Sequence, residues 1–91
     1  MSDRALTSGD LVKVLVIENE VITAKDIALR LSKLSFDVVG SAGNFDEAID
    51  LLTNHPNIDL ALIDIELDGE KDGIDVAEVI NDRFHIPFVF L

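Results

Sequence analysis

Four short apolar runs, each stopped by polar residues, alternate along this chain with three stretches whose apolar residues recur every three or four positions. Leu11 to Ile17 (Leu-Val-Lys-Val-Leu-Val-Ile) is a β-branched run that breaks off at Glu18-Asn19-Glu20, which predicts a buried strand with polar groups at its carboxyl end. From Val21 onward, Ala24, Ile27, Ala28, Leu31 and Leu34 repeat at helical spacing, with Lys25, Asp26, Arg30 and Lys33 between them. Phe36 to Ala42, carrying Val38-Val39 and followed by Gly43, predicts a second short strand. Asn44 is an N-cap residue with Glu47 three positions later, and Phe45, Ala48, Ile49 and Leu52 then share one helical face until His55-Pro56. In Asp59-Leu60-Ala61-Leu62-Ile63-Asp64, four apolar residues between two acids predict a strand buried on both faces. A loop from Glu66 to Gly73 follows, then Ile74, Ala77, Ile80 and Phe84 mark a third helix. Pro87 opens a last apolar run, Phe88-Val89-Phe90-Leu91.

The order β-α-β-α-β-α-β with short connections selects parallel pairing through right-handed crossovers. The predicted class is therefore α/β, an open parallel sheet with helices on both faces. Such sheets bind ligands just outside the carboxyl ends of their strands, where strand order reverses. The strands ending in Glu18 and Asp64 are predicted to lie side by side at that point, with their acidic ends together. No internal repeat or linker divides the chain, so one small domain from about residue 11 to residue 91 follows a polar, flexible tail, Met1 to Asp10.

Charge narrows the partners. Asp and Glu number 18 against 7 Lys and Arg, a net charge of -11 that repels phosphodiester backbones and anionic lipid. Direct contact with nucleic acid or a membrane is not expected, whereas a divalent cation or a basic protein face suits this surface; acidity for solubility alone explains it equally well. The absence of cysteine excludes a disulfide framework and a thiolate zinc site. With no apolar run of ~18 residues and no signal-peptide core, the expected compartment is the cytoplasm.

At the predicted sheet edge, Glu18, Asn19 and Asp64 form an oxygen-rich group, with Glu20 and Glu66 nearby. Hard oxygen donors without histidine or cysteine favour Mg²⁺. Without a cation the carboxylates repel and at least one pKa rises; with one bound, all can ionise and Asp64 can attack phosphorus. Taken singly, each residue also has a plainer reading. Asp64 reads as a turn or capping aspartate, Glu18 and Glu20 as solvated loop acids, and Asn19 as a cap of the following helix. Asp72 reads as a cap of the third helix and Lys71 as a surface lysine, while His55 and His85 carry no chemistry.

Together, Val14-Leu15-Val16-Ile17-Glu18-Asn19-Glu20, Asp59-Leu60-Ala61-Leu62-Ile63-Asp64-Ile65, Asp72-Gly73-Ile74 and Ile86-Pro87-Phe88-Val89-Phe90-Leu91 resemble the receiver domain of two-component response regulators. The resemblance implies a flavodoxin-like fold and a phosphoacceptor at Asp64, fed by a phosphohistidine on a sensor histidine kinase or phosphotransfer protein. It also implies Mg²⁺ held by Glu18, Asn19, the Asp64 side chain and the main-chain carbonyl of Glu66, in a signalling domain rather than an enzyme. Two departures stand out. Asn19 occupies the position where most receivers carry an aspartate, which predicts weaker Mg²⁺ binding and slower phosphotransfer. The chain ends at Leu91, so the family's Ser or Thr after the fourth strand, its Lys, its fifth strand and two helices are absent, and the expectation is a C-terminally truncated receiver. Its exposed last strand is then open to pairing with a second copy. The alternative reading is a pseudo-receiver, a binding or dimerisation module that is never phosphorylated. A magnesium phosphatase of the haloacid dehalogenase type fits poorly, because Glu66 is followed by Leu67 and the motif lies on the third strand.

Overall fold

The structure is a computed structural model and describes residues 11–91; the predicted tail, Met1 to Asp10, lies outside the described residues. β1 (Lys13–Ile17), α1 (Val21–Lys33), β2 (Asp37–Ala42), α2 (Phe45–Asn54), β3 (Leu60–Ile63), α3 (Gly73–Val79) and β4 (Phe88–Phe90) follow in the anticipated order. The four strands form one parallel sheet in the order β2-β1-β3-β4. The chain therefore moves from β1 to one neighbour, then crosses back to build β3 and β4 on the other side. That reversal sits between the carboxyl ends of β1 and β3, in register Ile17 to Ile63.

Alternation along β1 divides the core in two. Val14 and Val16 face α1, packing with Ala24, Ile27 and Leu31 and with Leu60 and Leu62 of β3. Leu15 and Ile17 face α2 and α3, where Ala48, Leu52, Ala61, Ile63, Val76, Ala77 and Ile80 complete the larger cluster. All four of these β1 side chains are fully buried, which explains why this strand reads as a continuous apolar run rather than an alternating one. β4 is an edge strand: Phe88 joins the α2/α3 cluster while Val89, Phe90 and Leu91 are exposed.

Several element boundaries differ from expectation. β1 begins at Lys13, not Leu11, because its pairing with β2 starts at Lys13 and with β3 only at Val14; the Lys13 N–H is taken by the Asp59 carboxylate at 2.9 Å. Leu34, expected on the buried face of α1, is 70% exposed, since the helix ends one residue earlier. Ser35 there adopts φ 70°, and the N–H groups of Ser35 and Phe36 reach back to the carbonyls of Ser32 and Leu31, each at 3.0 Å. This is a Schellman ending, usually built on glycine, whose missing Cβ removes the left-handed penalty of ~1–2 kcal/mol. Ser35→Gly is expected to raise stability by about 0.5–1 kcal/mol, read as a higher denaturant midpoint with unchanged slope.

In α3 the expected stripe is partly wrong. Ile74 is 47% exposed, and the buried positions are Gly73, Val76, Ala77 and Ile80. A glycine escapes a reading based on apolar side chains, yet Gly73 is where the helix touches the sheet. A Cβ there would collide with the Asp64 carbonyl oxygen and stand 2.8 Å from Ile63 Cγ2. Past Val79 the helix widens into a π-helical turn, Ile80–Phe84, closed by the His85 N–H to the Ile80 carbonyl at 2.6 Å, and Phe84 still returns to the core.

Candidate functional site

The carboxyl end of β1 delivers Glu18 and that of β3 delivers Asp64. Backbone bonds fix both: the Glu18 N–H donates to the Ala42 carbonyl and the Asp64 N–H to the Ile17 carbonyl, each at 2.8 Å. The two residues thus emerge side by side at the reversal of strand order, as the strand pattern predicts. Glu18 is 8% exposed, and Asp64 and Asn19 are half-buried.

Burial raises the Glu18 carboxyl pKa above its ordinary 4.5, and the Glu20 N–H, donating to Oε2 at 3.1 Å, opposes that rise. The nearby charge of Asp64 pushes it up further, with a smaller push from Glu20. Proximity to Asp64 thus adds to a rise at Glu18 that burial leads. Asp64 is steadied by the Glu66 N–H, which donates to Oδ1 at 3.2 Å.

The other candidates divide. The Glu20 carboxylate turns toward α1, accepting from the Thr23 hydroxyl at 3.1 Å, and the Glu66 side chain is exposed. Among the described residues, no three His, Cys, Asp or Glu side chains gather closely enough to hold a metal ion. Glu20 and Glu66 thus add no third carboxylate to the Glu18 and Asp64 pair. Asn19 does not cap α1, whose N-cap is Glu20; its Nδ2 instead donates to Asp68 Oδ1 at 3.4 Å. Asp72 caps α3 as expected, accepting from the Ile74 and Asp75 N–H groups at 3.0 and 3.1 Å, while Asp75 accepts from the Asp72 N–H at 2.9 Å. Lys71 lies with its ammonium 4.3 Å from the centre of the Phe45 ring. A cleft of about 300 Å³ opens beside Glu18, between Asn19, Lys25, Asn44, Glu47 and Asp68.

Two residues of this region escaped the sequence reading. Asp68 follows from no spacing rule, because its contact with Asn19 spans 49 positions; the Asp68-Gly69 pair signals only a turn, which Gly69 makes at φ 93°. Gly73 was legible as part of a turn, not as the contact that seats α3 against Asp64.

A parallel sheet in this order, with its switch point between β1 and β3, is the flavodoxin-like arrangement. The chain belongs to the response regulator receiver domain family, whose model matches residues 14–91. It is 34% identical over 79 residues to the transcriptional regulatory protein PdtaR of Mycobacterium tuberculosis, which covers 87% of this chain and 38% of that protein. The signal receiver domain of a modulated diguanylate cyclase from Desulfovibrio desulfuricans superposes with a TM-score of 0.82 at 31% identity, over 89% of this chain and 64% of that one. The anti-anti-sigma factor PhyR of Bartonella quintana, solved in complex with the anti-sigma factor NepR, gives a TM-score of 0.80 at 32% identity, over 91% of this chain and 34% of that one. The chain thus spans well under half of the curated relative's length. Among the described residues, no helix is long and apolar enough to cross a membrane.

Proposed function

We propose that Asp64 is a phosphoacceptor that takes its phosphoryl group from a phosphohistidine on a sensor kinase or phosphotransfer protein. The observation that carries this reading is the convergence of Glu18 and Asp64 at the strand switch, one carboxyl buried and resisting ionisation, the other half-exposed and held by a backbone N–H. In the step itself an Asp64 oxygen forms the new O–P bond while the P–N bond to the donor imidazole breaks. The electron pair leaves with the nitrogen, and the product is an acyl phosphate.

Glu18, the Asn19 carbonyl oxygen, Asp64 and the Glu66 main-chain carbonyl would hold Mg²⁺. The donor set fits, since every candidate is a hard oxygen, and no backbone N–H among the described residues donates to the Glu66 carbonyl. When bound, the ion neutralises charge on the transferring phosphoryl oxygens. This chain's own part is to bring two carboxyls together and aim one of them. Asn19→Asp adds a third charge and is expected to tighten Mg²⁺ binding about tenfold by calorimetric titration. Unchanged affinity would remove Asn19 from the ligand set.

Incubation with acetyl phosphate and Mg²⁺ tests the reading: intact-mass spectrometry is expected to show one phosphoryl increment that chelator prevents. The second reading is a binding module that acts without phosphorylation. It is favoured by the neutral Asn19 and by the PhyR relative captured with a protein partner. Absence of any increment under donor excess would support it.

A further inference from the structure

The contact between Asn19 and Asp68 has no counterpart in the roles assigned so far. Asp68 is placed from its own backbone: its N–H donates to the Gly43 carbonyl at 3.2 Å, and it forms an isolated parallel bridge with Asn44. The β3–α3 loop is thereby tied to the β2–α2 loop, and the Asp68 carboxylate comes to lie 3.4 Å from Asn19 Nδ2. Asp68 is exposed, and it belongs to no cluster of three metal-binding side chains among the described residues. Among the described residues, the side-chain hydrogen bond to Asn19 is what links Asp68 to the β1 end of the site.

An asparagine at a cation site brings a difficulty that an aspartate does not. Its two ends are chemically opposite, and only the carbonyl end can face a cation. A carboxylate that accepts from the NH₂ end decides which way the amide points. We propose that Asp68 is a positioning residue: by holding Asn19 Nδ2 it turns the Asn19 carbonyl oxygen toward the cation site. The inference rests on the phosphoacceptor reading and deepens it. It also makes the effect of Asp68 depend on the residue at position 19. Beside an aspartate, Asp68 would have no N–H to accept and would be only a like charge.

Mg²⁺ titration of the wild type, Asp68→Ala, Asp68→Asn, Asn19→Asp and the Asn19→Asp/Asp68→Ala double variant tests this. Asp68→Ala is expected to weaken Mg²⁺ roughly tenfold, the low end for outer-shell partners. Asp68→Asn, which keeps a carbonyl acceptor, is expected to recover most of that loss. In the Asn19→Asp background, removing Asp68 is expected to cost at most a small fraction of that loss. In the metal-free protein, the Asn19 side-chain NH₂ resonances are expected to shift in Asp68→Ala and not in Asp72→Ala. An equal loss in both backgrounds, or an unmoved NH₂ signal with unchanged affinity, overturns the inference. Wild type that binds Mg²⁺ but takes up no phosphoryl group sinks the phosphoacceptor reading alone, while wild type that binds no Mg²⁺ sinks both.

Discussion

Asp64→Asn is expected to fold and to take up no phosphoryl group at all, because the amide keeps the shape of the acceptor and loses its nucleophilic oxygen. The same change has a second, opposite effect on stability. In the folded protein the Glu18 pKa lies above its ordinary value, first through burial and then through Asp64. A carboxyl with a raised folded pKa adds stability that is complete below its unfolded pKa and is lost as pH rises through the folded one. Ionising Glu18 in the metal-free protein therefore costs stability, and the charge of Asp64 adds to that cost. Asp64→Asn removes that charge, so its metal-free thermal midpoint is expected to exceed the wild type's at pH 7. As pH falls below the ordinary carboxyl range the two should converge, because protonation of Glu18 removes its charge in both. Saturating Mg²⁺ is expected to stabilise the wild type more than the variant. A variant less stable than wild type at pH 7 would contradict the electrostatic account of the pair.

Gly73→Ala sets two magnitudes against each other. Alanine is the better helix former by ~1 kcal/mol, so propensity alone calls for a more stable protein. The new methyl group, however, would meet the Asp64 carbonyl oxygen, with the Asp64 carbonyl carbon 2.9 Å away, and neither is the free end of a flexible side chain. Backbone cannot yield cheaply, so the clash is expected to win by about 3 kcal/mol, lowering the thermal midpoint by roughly 10–20 °C. Whatever fraction still folds must displace either α3 or the end of β3, so its rate of phosphoryl uptake is expected to fall as well. Ile74→Ala, one residue along and 47% exposed, is the control and should change stability by less than about 0.5 kcal/mol. Equal effects of the two substitutions would show that the contact at Gly73 is not what seats Asp64.

Much of this arrangement was readable before any coordinate. Hydrophobic periodicity located all seven elements, because Val14 to Ile17 and Leu60 to Ile63 are strands covered on both faces and must be apolar throughout. The meeting of Glu18 and Asp64 was anticipated from the rule that open α/β sheets gather their polar groups where strand order reverses, and the order β2-β1-β3-β4 puts that reversal between their strands. What escaped was set by backbone geometry rather than side-chain pattern. Leu34 looked like core until Ser35 ended the helix in a left-handed turn. Ile74 looked like core because the true inward position beside it is a glycine with no side chain to announce itself. Asp68 reaches Asn19 only because two loops are bridged at Asn44, a pairing without sequence periodicity. Even the departure at Asn19 was legible as a lost charge, but not as an amide held by a distant carboxylate.

The most direct measurement is the location of the phosphoryl group itself. After treatment with acetyl phosphate and Mg²⁺, borohydride reduction converts an acyl phosphate to the corresponding alcohol, and peptide mass spectrometry identifies the residue that carried it. The reduced residue is expected to be Asp64 alone, with the signal absent when chelator is present. Labelling of Glu18 or Asp68, or labelling that does not depend on the cation, would contradict the assignment of the β1 and β3 ends as a cation-assisted acceptor.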